Sequence, residues 1–314
     1  MVDKRLIEID ERFKEGFFKR IVNRSLVILL ILISYLPFWI IYGISDLLFL
    51  IIRYIVGYRK KVILDNLAKC FPSKSMDERK RIMSKFYRHF CDFALESVKM
   101  YSMNPRQMAK RITVKGTDVL NNFADQGKSV IVLGMHYNNW EWGSFLQTHL
   151  KHQVLMVYNS IRGNAAMEKF ILHSREKWGG ESIPMYRSVR AIMEYMRKGK
   201  PAILWLAADQ TPPPTTPFWT IFLNRETPFF SGPEKIGIKT NQPIVFLYVK
   251  KLERGKYEAN FSTLAEEPNK LQPNEILLRY SHKMEEIIVK EPEYYLWSHR
   301  RWKYTRPENV ELIN

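Results

Sequence analysis

The sequence predicts an α/β sandwich on a mostly parallel sheet, preceded by a membrane-inserted helical segment, and three observations predict it. Residues 25–45, SLVILLILISYLPFWIIYGIS, carry no charge. From residue 128 onward, four short apolar runs alternate with segments of helical period. A large core is available: 46% of the 314 residues are hydrophobic. The 14 Gly, 16 Pro and 2 Cys exclude collagen-like, low-complexity and disulfide-stapled chains.

The N-terminal run continues past Asp46 as LLFLII up to Arg53. About 20 apolar residues match a hydrocarbon core of roughly 30 Å, so the segment belongs in or on a bilayer. It starts too late and runs too long for a cleaved signal peptide, and no small-residue cleavage site follows it. Its apolar residues go all the way round rather than forming a stripe, unlike a soluble core helix. Pro37 interrupts it, and basic residues flank both ends: Lys19, Arg20 and Arg24 before, Arg53, Arg59, Lys60 and Lys61 after. Cytosolic character at both ends favours a bent helix pair inserted from one face over a single span. The expected division is a membrane anchor at residues 1–62 and a soluble domain at 63–314.

Ser75 and Glu78 have capping-box spacing and open a basic amphipathic helix with Ile82, Phe86 and Phe90 on its apolar side. That helix either packs on the core or lies against anionic headgroups. Strands are expected at 128–135, 153–158, 202–207 and 243–249, and helices at 141–151, 165–177, 188–197 and 233–240. In such a sheet ligands collect at the carboxyl ends of the strands.

His136 stands just past the first of these strands, with Glu141 five residues later. A strand-end imidazole whose Nδ1 proton is taken by a carboxylate acts as a general base, with the acid holding the tautomer. No Ser or Cys lies in a nucleophile-elbow pattern, which favours direct attack by a second substrate over a covalent acyl-enzyme. The pair alone is a weak signal in a chain with 7 His.

The segment HYNNWEW resembles the H-x4-[D/E] motif of glycerolipid and lysophospholipid acyltransferases. It resembles more narrowly the lipid A biosynthesis (lauroyl or myristoyl) acyltransferases. Three further blocks carry that resemblance in order: Asp65-Asn66-Leu67 with Cys70-Phe71-Pro72; Asp209-Gln210 with Phe222 to Arg225 and Phe230 to Pro233; and Tyr295 to Lys303, YLWSHRRWK. It spans about residues 20 to 306. Two positions depart from the pattern, Asn138 where Gly is common and Gly237 where a small alanine is common.

The resemblance implies a glycerolipid-acyltransferase-like αβα sandwich. It also implies transfer of a fatty acyl chain from acyl carrier protein, or secondarily coenzyme A, to a hydroxyl of a lipid A precursor. His136 is then the base and Glu141 its orienting acid, at the cytoplasmic face of a bacterial inner membrane. No cofactor and no metal are expected, and Cys70 and Cys91 are expected as reduced thiols. The phosphorylated acceptor suits a formal net charge of +17. Arg162, past the second strand, is a candidate for gripping an acceptor phosphate, or a surface Arg paired with a helix acid. Asp209 orients a substrate hydroxyl, pairs with Arg162, or shapes the turn before PPPTTP. Arg300 and Arg301, with Lys303, bind acceptor phosphate or an acidic carrier protein, or pack with Trp297 and Trp302. Two alternatives stay open: an acyltransferase acting on lysophosphatidic acid or an amino-acid lipid, and a non-enzymatic basic binder of membrane or nucleic acid. No nucleic-acid motif is present, so no nucleic-acid partner is expected.

Overall fold

A computed structural model describes residues 14–313; residues 1–13 of the expected anchor, and Asn314, lie outside the described residues. The apolar run folds as two helices with proline between them. Helix α1 (Phe17–Tyr35) ends where Leu36 turns extended, the backbone that a following proline ring enforces. Pro37 then caps α2 (Phe38–Leu50), whose last turn widens into a π-helical turn, Ile51–Val56, closed by Gly57 at φ 61°. By length and composition, Phe38–Val56 is apolar enough to cross a membrane.

Helices α3 (Lys60–Cys70) and α4 (Met76–Met100) follow. The capping box opens α4 as expected: Glu78 N–H donates to the Ser75 hydroxyl (3.2 Å) and Ser75 N–H donates to the Glu78 carboxylate (2.7 Å). Ile82, Met83 and Phe86 bury the apolar side of α4 in the core, leaving Lys80, Arg81 and Lys85 exposed. The chain continues through α5 (Pro105–Ala109), β1 (Ile112–Lys115), α6 (Thr117–Asp125), β2 (Val130–Gly134), a 3-10 helix (Glu141–His149), β3 (Gln153–Tyr158), α7 (Ala165–Glu176), β4 (Glu181–Pro184) and α8 (Ser188–Arg197). Then come β5 (Ala202–Ala207), β6 (Trp219–Phe222), β7 (Arg225–Pro228), α9 (Gly232–Thr240), β8 (Ile244–Glu253), β9 (Lys256–Ala265) and α10 (Glu275–Lys290).

Seven strands form one sheet in the order β1-β9-β8-β2-β5-β3-β4, and all neighbours pair in parallel except β8 with β9. The four expected strands are its central members. Alternate residues of β2 serve opposite layers, as a pleated strand requires. Ile131 and Leu133 face a core that includes Tyr280 and Met284 of α10, whereas Val130 and Val132 face one with Met108, Phe123 and Trp142. The segment expected as an α-helix at 141–151 winds more tightly. The 3-10 spacing stacks Trp142 and Phe145, three residues apart, on one buried face.

The close packing of this helix on β5 depends on Gly143. A Cβ there would stand 2.3 Å from the Trp205 indole of β5. Gly143→Ala is therefore expected to destabilise the fold by about 2 kcal/mol through overpacking, and Trp205→Leu in the same chain to recover most of the loss, as read by chemical denaturation.

Candidate active site

The parallel register of β2 and β5 builds the site. Gly134 lies beside Ala207, so two residues further along both strands His136 lies beside Asp209. Asp209 Oδ1 is 2.7 Å from His136 Nδ1, and the His136 backbone N–H donates to Oδ2 at 3.0 Å. Both carboxylate oxygens thus fix one residue, and Nδ1 carries the proton that Asp209 accepts. Nε2 is left as the acceptor, and the Gln210 amide sits 3.2 Å from it. The Trp140 ring meets the imidazole edge-on at 5.0 Å.

Sequence reasoning placed Glu141 on Nδ1, and the structure corrects this: Asp209 holds that position. The loop after His136 turns through Asn138 at φ 54°, a left-handed conformation in which Asn is the best-tolerated residue after Gly. The start of the 3-10 helix then faces α7 instead of the imidazole. Arg175 of α7 grips Glu141 with two hydrogen bonds, Nε to Oε2 at 2.8 Å and Nη2 to Oε1 at 2.6 Å, and the Trp140 indole N–H adds a third. Arg175 carries no local sequence signal for this role; only the packing of α7 over the 3-10 helix reveals it.

Electrostatics separate the groups. Burial lowers the His136 pKa, but the Asp209 charge and hydrogen bond outweigh it and hold the imidazole above its ordinary value, with Glu141 adding to the effect. Burial raises Asp209, and the His136 contacts outweigh that and hold the carboxyl below its usual range. Glu141 behaves likewise, its burial overcome by Arg175. The Glu141 and Arg175 side chains are 13% and 20% exposed, so breaking the pair strands a charge in a low dielectric. Arg175→Met is expected to cost about 3 kcal/mol, and adding Glu141→Gln to restore most of it, measured as the shift in unfolding midpoint.

A cavity of about 550 Å³ opens at His136, walled by Tyr158, Glu168, Leu206, Gln210 and Phe230 among others. A narrower one of about 90 Å³, lined by Met135, Ser144, Met156, Trp205 and Leu247, lies beneath. His136, Val157, Arg175 and Ala207 belong to both walls.

The other expected binding residues separate. Arg162 is exposed and lines a neighbouring cavity of about 430 Å³ with Tyr158, Asn159 and Tyr186. Asp209 does not meet Arg162, because His136 occupies its carboxylate. Arg300 is exposed, and its carbonyl accepts from the Thr211 hydroxyl at the cavity edge. Arg301, expected beside it on a binding surface, is 1% exposed. Its guanidinium stacks 4.7 Å over Phe229 and donates to the Pro228 carbonyl, because the chain turns at residues 297–302 and carries this side chain inward. It serves as a buried brace near Asp209.

The four sequence blocks pack together. Asn66 donates to the carbonyls of Trp297 (3.0 Å) and His299 (3.1 Å), and Asn224 donates to the Cys70 carbonyl (2.9 Å). Tyr137 bridges Tyr295, and Asn138 N–H donates to the Tyr294 carbonyl (3.1 Å). The C-terminal block thereby supports the His136 loop from behind. His299, 3.2 Å from the Thr211 hydroxyl, is pushed down to about 4 by burial, with nearby Arg301 and His136 adding to the shift. Burial pushes the Cys70 thiol up to about 12 and Cys91 to about 11, leaving both as unreactive core thiols. Among the described residues no three His, Cys, Asp or Glu side chains converge on a metal position.

Residues 19–304 match the family model of the bacterial lipid A biosynthesis acyltransferases. The lipid A biosynthesis lauroyltransferase of Escherichia coli K12 is 23% identical over 285 residues, 89% of this chain and 90% of that protein. The lipid A biosynthesis palmitoleoyltransferase of the same organism is 24% identical over 251 residues, 79% of this chain and 80% of that protein. The crystal structure of the 1-acyl-sn-glycerophosphate acyltransferase of Thermotoga maritima is 15% identical, covering 84% of this chain and 100% of that one, with a TM-score of 0.37.

Proposed function

This chain belongs to the bacterial lipid A biosynthesis acyltransferases and is an enzyme that transfers acyl groups, and we propose that it moves a fatty acyl chain from acyl carrier protein to a hydroxyl of a lipid A precursor. The observation that carries this reading is the His136 imidazole, hydrogen-bonded through Nδ1 to a buried carboxylate, on the wall of a large cavity at the carboxyl edge of parallel strands.

In the reaction, Nε2 takes the proton of the acceptor hydroxyl as its oxygen attacks the thioester carbonyl. The Gln210 amide, 3.2 Å from Nε2, marks the position that this hydroxyl takes. The tetrahedral intermediate collapses by breaking the carbon–sulfur bond, and His136 returns the proton to the leaving thiolate. Arg175, on the wall of both cavities, supplies positive charge where the carbonyl oxygen becomes anionic. Glu141 acts through Arg175 as a positioning residue. In this reading the exposed Arg162 and Arg300 meet acceptor phosphate or an acidic carrier. Residues 63–314 act as the acyltransferase domain and residues 1–62 as the anchor, at the cytoplasmic face of the inner membrane where a lipid acceptor resides.

The test is to incubate the purified chain with acyl carrier protein and coenzyme A thioesters against lipid A precursors, lysophosphatidic acid and an amino-acid lipid, and to weigh the products. A lipid A precursor heavier by one acyl chain, formed from the carrier thioester, is the expected result. Transfer to lysophosphatidic acid alone overturns the reading of the acceptor.

A further inference from the structure

Helices α8 and α9 lie side by side over one face of the sheet. Ile192 of α8 and Ile236 of α9 pack on the same patch, Leu155 of β3 and Leu204 of β5, and just beyond α9 the Gln242 amide donates to the Met196 sulfur near the end of α8. Val189 at the head of α8 and Pro233 at the head of α9 both line the large cavity at His136. Away from the sheet these helices are basic, with Arg190, Arg197, Lys198, Lys235 and Lys239 exposed. Their two acids do not balance that charge. Glu234 is buried and accepts the Ile276 N–H (3.0 Å), and Glu194 meets Arg190 at 3.6 Å, the one ion pair on either helix among the described residues.

This charge works against the fold locally. Arg187 caps α8 and Arg190 stands in its first turn, where no acid is present. Cations at the positive end of a helix dipole are unfavourable, so the arrangement costs stability. A patch of one sign that its own fold leaves uncompensated suits a partner of the other sign.

A bilayer surface and an acidic carrier are both anionic, and the layers of the fold separate them. The Asn23 amide of α1 donates to the Gly163 carbonyl ahead of α7 (3.2 Å). Helix α7 in turn holds the 3-10 helix through Arg175 and Glu141, and that layer covers Val130, Val154 and Met156 with Trp142 and Trp178. Leu155 and Leu204 point the other way, to α8 and α9. The basic helices therefore lie in the layer opposite the one bonded to α1, on the side open to a soluble protein.

We propose that the exposed face of α8 and α9 docks an acidic carrier protein, whose thioester-bearing arm passes Val189 and Pro233 to reach His136. The proposal rests on the carrier being the donor, as in the function proposed above. Arg162, in the loop bonded to α1, is left to the acceptor. Direct attack without an acyl-enzyme needs both substrates at the imidazole at once, and approaches from two layers let both stay bound. Complementary charge around the entrance brings the carrier in and orients it.

Arg190→Glu, Lys235→Glu and Lys239→Glu, combined in the full chain, test it, since none of the three lines the cavity. Two donors with the same acyl chain are compared against a lipid A precursor: the carrier thioester and a pantetheine thioester, which keeps the reactive arm and lacks the protein. The expected result is a KM for the carrier thioester raised about tenfold or more and a flattened salt dependence of kcat/KM, with the pantetheine thioester turned over at close to the parent rate. The triple glutamine variant at the same positions removes charge without adding any, and is expected to show a smaller rise in KM if the glutamate variant melts low. An unchanged KM for the carrier thioester in both variants overturns this surface and leaves the donor reading intact. A parent that acylates from pantetheine and rejects the carrier overturns the donor reading and this proposal with it. Equal losses with both donors, together with weaker binding to phosphatidylethanolamine–phosphatidylglycerol vesicles, overturn it in favour of a lipid-facing surface.

Discussion

His136→Asn is expected to lower kcat by about 10² to 10⁴-fold while the protein melts close to the parent. Asparagine keeps a donor toward Asp209, which is 2% exposed and would otherwise lose its side-chain partner. The substitution therefore removes the base and spares the buried carboxylate its desolvation cost. His136→Ala is expected to lose as much rate and also to melt lower, because Asp209 keeps only the backbone N–H of residue 136. Steady-state kinetics with a carrier thioester, paired with thermal melts of both variants, separate the chemical loss from the structural one. A residual rate within tenfold of the parent in the asparagine variant removes His136 from the chemistry.

Asp209→Asn carries the second largest effect. In the parent, Asp209 accepts the Nδ1 proton at 2.7 Å and so presents Nε2 unprotonated to the substrate side. An asparagine amide can turn its NH2 group toward the ring, which favours the imidazole proton on Nε2 and leaves only the minor tautomer with a base there. A fall in kcat of about 10²-fold or more is expected, with a smaller change in KM, since the carboxylate touches the imidazole and not the cavity. The corresponding change at Glu141 acts through Arg175, and its loss of rate is expected to be accompanied by a lower unfolding midpoint.

The sheet and its central strands were legible because β-branched runs of four to eight residues alternate with helical periods, a local signal. The edge strands β1 and β4 were not, since each is only four residues long and mixed in composition. The same distinction governs the site. His136, Asp209 and Gln210 were each legible as residues that end a strand. Their pairing was not, because it depends on β2 and β5 being neighbours in register, a contact across 73 residues. Glu141 was the nearer acid in sequence, and proximity along the chain proved the wrong guide once Asn138 turned the loop. Arg301 falls on the packing side of the two readings the sequence left open, because a run of charges does not tell which way a turn carries each side chain. The buried Asn66 contacts show physically how blocks distant in sequence come together: one amide holds two carbonyls of the C-terminal segment behind the His136 loop.

The pH dependence of kcat/KM in the parent, Asp209→Asn and His136→Asn tests the role of the imidazole most directly, because that quantity titrates the free enzyme. A base works unprotonated, so activity rises as pH climbs through its pKa, and Asp209 holds that pKa above the ordinary histidine value of 6.5. The parent is therefore expected to show an ascending limb centred above 6.5, Asp209→Asn a limb displaced to lower pH because the carboxylate that favours the imidazolium is gone, and His136→Asn no such limb. An unchanged limb in His136→Asn would show that another group takes the proton.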